Sequence, residues 1–458
     1  MSQTAFAPQV PAKAPCRPQP VTTAPDFEAA AVQGLPQWWR AGQQEAWSAF
    51  SALPMPQRKN EAWRFADVSV IKLDGYQSCL PVSAPAEAEI KRETAARPKP
   101  VAGRVVYGND HLLSHQPLDP ALAAQGVVFL PLELALQDEK AGAILKRHFM
   151  AAESATTLGS KKFEALHRAF CAAGTVLYVP KGVEVKQPLE AFYWLTDASA
   201  ATFPHTLVIA EDNASVELSV FYASTKGAKG GLAIGASDVI AGAGAKVRTV
   251  LVQNWDEEAL SFQIGSTAVQ RDGHAASLSV NLGSRYARTE AKSRMLGEGS
   301  RSDMFSLTAS HGGQIFDQRT FQEHVAANTT SDLLYKNALA DTSRTIFAGM
   351  ISVDPGAQKT DAYQSNRNLL LSDTAEADSL PGLEIQANDV RCTHGSTSGQ
   401  ISPEEMFYMA QRGIPLPVAR KLFVLGFFDE VLGRLADTGD GAIAAELHDL
   451  LEKKFSVK

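Results

Sequence analysis

The chain has 458 residues, carries 43 Lys+Arg against 50 Asp+Glu for a net charge of -7, and is 45% hydrophobic and 20% charged. A weakly acidic surface does not hold nucleic acid or an anionic membrane by bulk charge, and no apolar run approaches the ~18 residues of a membrane span. The 4 cysteines, at positions 16, 79, 171 and 392, are too few and too scattered for a disulfide framework, and a chain this long can bury a large core without one. They point to a reducing compartment, and the N-terminus lacks the charged-then-apolar order of a secretory signal. The expectation is a soluble cytoplasmic protein of about three domains, with no nucleic-acid or membrane partner.

Residues 1–34 are rich in Ala, Pro and Thr and show no sustained period. Such a stretch buries too little apolar surface to offset its ordering entropy and reads as a disordered tail. Lys13 and Arg17, with no acidic residue before Asp26, would also suit a transit peptide. Pro36 opens a helix on which Trp38, Trp39, Trp47 and Phe50 form a bulky apolar face. Residues 81–103 read as a linker, GRVVYG (103–108) and QGVVFLPL (125–132) as strands, and 132–171 as helical. Residues 35–170 are thus a mixed, mainly helical N-terminal domain.

From residue 171 to 400 the texture is that of a mainly β core. A small-residue turn feeding an alternating strand recurs at Asn213 (NASVEL), Gly244 (GAKVRT), Gly273 (GHAASL) and Gly299 (GSRSDM), starts that lie 31, 29 and 26 residues apart. A looser copy follows in DTSRTIFAGMISV (341–353). A period of that size, built of short strands, argues for rungs that stack because none can bury its own apolar row. A sandwich would turn every 8–12 residues or so and show hairpin dipeptides, which this stretch lacks. The reading is a β-helix.

Residues 401–458 turn helical again. Ser402, Pro403 and Glu405 make a capping box, and the helix through MFYMAQR stops at Gly413 before Pro415. Pro417 opens a second helix with one apolar row of Val418, Leu422, Leu425, Leu432 and Leu435 and another of Phe423, Phe427 and Val431. A helix apolar on so much of its circumference is buried on more than one side, within the chain or against a partner. A last amphipathic helix carries Ile443, Leu447, Leu450 and Leu451.

The chemistry is sparse. No phosphate-binding loop, C-x-x-C, H-E-x-x-H or G-x-S-x-G occurs, which argues against the enzyme classes legible from a motif. His311 and His324 read as strand or corner residues. The suggestive pair is Cys392 and His394. Two apart in a strand, they share a face about 6.6 Å apart, and thiol and imidazole are both competent ligands for soft or borderline metals. Two donors do not fill a four-coordinate site, so any metal would draw its other ligands from elsewhere in the fold or from another chain. A lone C-x-H is otherwise a buried thiol beside a hydrogen-bonded histidine.

The segment RNLLLSDTAEADSLPGLEIQANDVRCTHGSTSGQISPEEMFYMAQRGIP (367–415) resembles the SufB/SufD family of iron–sulfur cluster assembly proteins, its SufD branch most closely. NEAWRF (60–65), followed by Asp67 and Val68, is similar to that branch's N-terminal signature, with Asn60 and Ala66 departing from its commonest residues. KFEALHRAFCAAGTVLYVPKGVEVKQPL (162–189) also matches. The resemblance spans roughly residues 35–458. It implies a right-handed parallel β-helix between helical N- and C-terminal domains, in a non-catalytic scaffold subunit of the SUF complex. It implies pairing with a SufB-like subunit and docking of the SufC ABC-type ATPase through the C-terminal helices; whether the chain forms a homodimer when alone is left open by the sequence. Met406, Phe407, Leu422, Phe423, Phe427 and Val431 are then the partner-facing residues. His394 and Cys392 become donors shared with the partner subunit to a transient iron or iron–sulfur cluster at the interface, none being bound tightly by this chain alone. A scaffold without metal contact and a carbohydrate-active β-helix enzyme are the alternatives.

Overall fold

A computed structural model describes residues 16–27, 34–97, 100–151, 158–437 and 441–454. Ahead of the coil lie β1 (Gln19–Pro20), α1 (Gln37–Ala52), β2 (Gln77–Ser78), α2 (Ala84–Ala95), β3 (Gly103–Gly108), β4 (His111–Gln116), α3 (Pro120–Ala124), β5 (Val128–Pro131), α4 (Leu132–Ala135), α5 (Glu139–His148) and α6 (Lys161–Phe170). The coil begins with β6 (Ala173–Val179), β7 (Leu189–Leu195), β8 (Ala200–Thr202), β9 (Pro204–Ala210), β10 (Ser215–Ser224), β11 (Leu232–Ala241), β12 (Lys246–Asn254) and β13 (Leu260–Val269). It continues through β14 (His274–Asn281), β15 (Tyr286–Met295), β16 (Arg301–Ser310), β17 (Ile315–His324), β18 (Thr330–Leu339), β19 (Arg344–Val353), β20 (Asp361–Leu370), β21 (Glu376–Ile385) and β22 (Arg391–Gln400). Three helices follow, α7 (Pro403–Gln411), α8 (Leu416–Asp437) and α9 (Gly441–Lys454).

From β10 onward successive strands alternate between two sheets. Even-numbered strands to β22 form one sheet, which β7, β3 and β4 extend; odd-numbered strands to β21 form the other, extended through β8 and β2 to β1. Neighbouring coil strands run parallel in continuous register, as in Leu218↔Thr249 and Gln364↔His394. This is the parallel β-helix expected, mainly β and flanked by helices at both ends of the chain.

The repeat is legible because one corner of six successive coils needs the same backbone. Asn213, Gly244, Asp272, Gly299, Asn328 and Lys359 each stand two residues ahead of an even strand, with φ between +56° and +73°. Glycine, asparagine and aspartate enter that region most cheaply, while Lys359 bears about 1–2 kcal/mol of strain. Each amide donates to a carbonyl of the next coil, as in Asn213 N to Ala243 O (2.8 Å), Gly244 N to Arg271 O (2.8 Å) and Asn328 N to Gln358 O (2.9 Å). Two details differ from the sequence reading. The third copy turns on Asp272, not Gly273, and the loose copy at 341–353 belongs to the opposite sheet, where Asp341 (φ 55°) makes a different corner. Asn328 and Lys359 continue the true column.

Each sheet buries its outer face under helices. Over the odd strands, Phe163 and Leu166 of α6 meet Leu232, Phe262 and Tyr286. Over the even strands, Val424, Phe428 and Val431 of α8 and Leu447 of α9 meet Val250 and Phe305. NEAWRF acquires a physical role here. The Trp63 ring lies 3.8 Å from the Arg288 guanidinium carbon, Ala62 O accepts from Arg288 Nη2 (2.8 Å), and Arg64 O accepts from Arg319 Nη2 (3.0 Å). The segment caps two arginines that project from the odd sheet.

Three further expectations are corrected. The stretch 81–103 is not a linker throughout: Ser83 caps α2 by accepting from Ala86 N, and Ile90 is fully buried. Pro81 precedes the helix and Pro85 stands in its first turn, and the rest is largely built of strong helix formers. The tail reading fails for residues 16–27, where β1 pairs antiparallel with β2 and Val21 is buried; residues 1–15 and 28–33 lie outside the described residues. Cysteine spacing also misled, because Cys16 and Cys79 form a disulfide across a sequence separation of 63. Spacing along the chain carries no information on two segments that only the fold brings together.

The turn between β3 and β4 holds a buried acid. Asp110 (φ 67°) accepts from Phe203 N (3.1 Å) and from Thr202 Oγ1, yet burial outweighs these bonds and pushes its carboxyl up to about 7. The folded state therefore binds more protons than the unfolded chain between pH 3.8 and about 7. Asp110's contribution to stability is greatest at the acid end of that window and declines as pH rises through it. Asp110→Asn is expected to flatten that decline when urea midpoints are compared from pH 4 to 8. An unchanged slope would remove Asp110 as its source.

Candidate functional site

Cys392 and His394 lie on β22, the last strand of the even sheet, paired with Ala362 and Gln364 of β20. In β20 the same column faces the coil interior, where Gln364, Asn366 and Asn368 are buried. On β22 no further coil covers it, so His394 is exposed and Cys392 is half-buried against Ile351, Val353 and Ala362. Position in the stack, not residue type, makes this histidine accessible. Burial, and then the charge of Asp361, push the Cys392 thiol above its ordinary range, against a smaller opposing bond from the Ala362 backbone. At neutral pH it is a thiol, and it becomes a strong ligand only when a cation displaces the proton.

Among the described residues, the one gathering of three potential ligands is His448, Asp449 and Glu452 on α9. Cys392 and His394 thus supply two donors with no third beside them among the described residues. The other histidines singled out have structural partners: His324 is buried and bonds Thr329 Oγ1 (2.8 Å) and Ser331 Oγ (2.9 Å), and His311 meets Glu257 (2.9 Å).

Sequence reasoning missed a polar column inside the coil. Asn337 Nδ2 donates to Asn366 Oδ1 (3.0 Å) and Asn368 Oδ1 (2.8 Å), and Asn368 Nδ2 donates to Ser398 Oγ of β22 (3.1 Å). The first coils are filled instead by Leu189, Tyr193 and Leu218. The signal was available as Asn, Ser, Thr and Gln at alternate positions of β14 to β22, but alternation alone does not say which face is the inside.

The predicted partner-facing residues divide. Phe407 (63% exposed) and Leu422 (47%) lie open, together with Tyr408, Leu416 and Val418, which form an apolar patch on α7 and the first turns of α8. Met406 and Phe423 are half-buried. The Phe427 ring packs against the core with its centre 4.7 Å from Lys336 Nζ, and Val431, on the side of α8 that faces the β-helix, is 0% exposed. Val431 is therefore not a partner-facing residue: Leu425 and Leu432 of the first apolar row pack with Phe427 and Val431 of the second in one cluster with the β-helix, and the exposed apolar residues of α8 lie at its start. The side chain of Leu435 lies outside the described residues. Glu430 holds this arrangement through Lys336 (2.6 Å) and Arg367 (3.0 Å), on β18 and β20. Val431→Ala should cost about 1.5–3 kcal/mol of stability in urea denaturation, whereas Leu422→Asp should leave the midpoint unchanged and weaken partner capture. Equal midpoints for both variants would refute this division.

A two-sheet parallel coil with an open terminal rung, followed by helices with exposed apolar residues, defines a parallel β-helix protein. The descriptions of two families match its sequence: "SUF system FeS cluster assembly, SufBD core domain" over residues 193–427 and "SufBD protein N-terminal region" over residues 33–191. The chain belongs to the SufBD family of iron–sulfur cluster assembly proteins. It is 28% identical over 346 residues to the iron–sulfur cluster assembly protein SufD of Bacillus subtilis (strain 168), covering 75% of this chain and 78% of that one. It is 25% identical over 411 residues to iron–sulfur cluster assembly SufBD family proteins of Staphylococcus aureus strains USA300 and NCTC 8325, covering 87% of this chain and 86% of theirs.

Proposed function

We propose that this chain is a non-catalytic scaffold subunit of a SUF complex, pairing with a SufB-like subunit and an ABC-type ATPase to build or deliver nascent clusters. The observation that carries the reading is the terminal rung. β21 and β22 leave both sheets with an unpaired edge at one end of the coil, and His394 stands exposed on that edge. An open edge pairs readily with another chain, and a partner seated there would bring further donors next to His394 and Cys392. The cluster or its iron is the cargo, held between subunits. The patch of Phe407, Tyr408, Leu416, Val418 and Leu422 supports docking of the ATPase, which supplies the nucleotide chemistry this chain's motifs lack. Nucleotide-driven movement of the ATPase would then reach the rung through α8, anchored by Glu430.

Anaerobic affinity purification from native cells, followed by mass spectrometry and iron determination, tests the reading. An ABC-type ATPase and a SufB-like chain should co-elute, with iron retained by the assembly. Recovery of this chain alone from fresh lysate would overturn it.

A further inference from the structure

We propose that Cys16, Cys79 and His111 form a thiol–disulfide exchange site that reacts with small thiols and disulfides of the glutathione class and latches the strap 16–27 to the body of the protein. The two cysteines are joined with a Cα–Cα separation of 5.6 Å, while the remaining cysteines, Cys171 and Cys392, are free. A core this large does not need one staple to fold, so a single bridge in a chain with two free thiols calls for another explanation. The surroundings supply it. His111 Nε2 lies 3.1 Å from the carbonyl oxygen of Cys79, and its Nδ1 lies 4.0 Å from Cys16 Sγ. A carbonyl only accepts, so the Nε2–H donates to it, and Nδ1 is the ring nitrogen on the side of the sulfur.

Access differs between the two sulfurs. Cys79 is 5% exposed, whereas Cys16 is partly open to solvent. In the oxidising direction, His111 Nδ1 takes the proton of the Cys16 thiol and the thiolate attacks one sulfur of a small disulfide RSSR. That S–S bond breaks, a mixed disulfide forms on Cys16, and RS⁻ leaves and takes up the proton. Cys79, having lost its own proton, attacks Cys16 Sγ, breaks the mixed disulfide and expels the second RS⁻. Two protein thiols and RSSR give the protein disulfide and two RSH, with two electrons passing from protein to RSSR. Reduction is the reverse, opening with attack on the accessible Cys16 sulfur.

The latch has something to hold. The strap is secured by the β1–β2 pairing of Gln19↔Ser78 and Pro20↔Gln77, by Val21 N donating to Tyr76 O (3.1 Å), and by the buried Val21 side chain. So short an attachment opens easily once the covalent link is cut.

The full chain is equilibrated in glutathione buffers of defined ratio, quenched by alkylation and read by peptide mass spectrometry, with amide hydrogen exchange at both extremes. The Cys16–Cys79 peptide should form with excess oxidised glutathione and disappear with excess reduced glutathione, and exchange at Val21 should quicken by about tenfold or more on reduction. His111→Gln should slow closure by about tenfold without changing the final oxidised fraction. Cys79→Ser should trap glutathione on Cys16, and Cys16→Ser should leave Cys79 unmodified, a pair of readouts that stands even where the histidine variant does not fold. Free alkylation of both cysteines in excess oxidised glutathione, or a bridge that persists in excess reduced glutathione, overturns the exchange site. Equal exchange at Val21 in the two states overturns the latch.

Discussion

Arg288→Met is expected to lower the unfolding free energy by about 3–5 kcal/mol, the largest stability effect anticipated for a single substitution in this protein. Arg288 is 1% exposed. Its Nε donates to Glu290 (2.7 Å), Nη1 to Asp317, and Nη2 to the carbonyls of Ala62 (2.8 Å) and Leu158 (2.5 Å). These carboxylates hold it firmly cationic despite a burial that favours the neutral form. Methionine fills similar volume but leaves Glu290 and Asp317 close together in a dry site. Arg319 still serves Asp317 (2.5 Å), and Ser160 N still serves Glu290 (3.3 Å), so the loss is partial. Arg288→Lys should also be costly, because one ammonium cannot span four acceptors arranged for a planar fork. Urea midpoints with an unchanged m-value would measure both variants, and a loss below about 1 kcal/mol for Met would show that the network is dispensable.

His394→Ala is expected to leave the fold and the urea midpoint intact while reducing iron retained by the assembled complex at least about tenfold. The first half follows from exposure: a side chain on an uncovered edge strand contributes little to the core. The second follows from the proposed sharing of cargo between subunits. Cys392→Ala should cost less, since burial and Asp361 keep that thiol protonated until a cation arrives. Full iron retention in the His394 variant, with both partners still co-eluting, would take the histidine out of the mechanism and leave a scaffold without metal contact.

Much of this was legible along the chain because it is local. Asn213, Gly244 and Gly299 announce the coil, since a left-handed corner tolerates few residue types, and the capping box at Ser402 announces α7 for the same kind of reason. The pair Cys392 and His394 could be read as sharing one face of a strand. Which side of each strand is the inside could not be read, so the asparagine column from Asn337 to Asn368 went unseen, and so did the fact that β22 is where the coverage ends.

Turn conformation, capping and motif spacing depend on residues a few positions apart, and so the periodic backbone, the helix boundaries near the C-terminus and the family could all be read along the chain. What could not be read there is that α8 buries its later turns and leaves Val418 and Leu422 at its start open, that Trp63 caps Arg288, that Cys16 meets Cys79, and that His394 stands open on a final rung. Each of those depends on contacts between segments far apart in the chain, and burial and electrostatic partners exist only once the coil has closed around them.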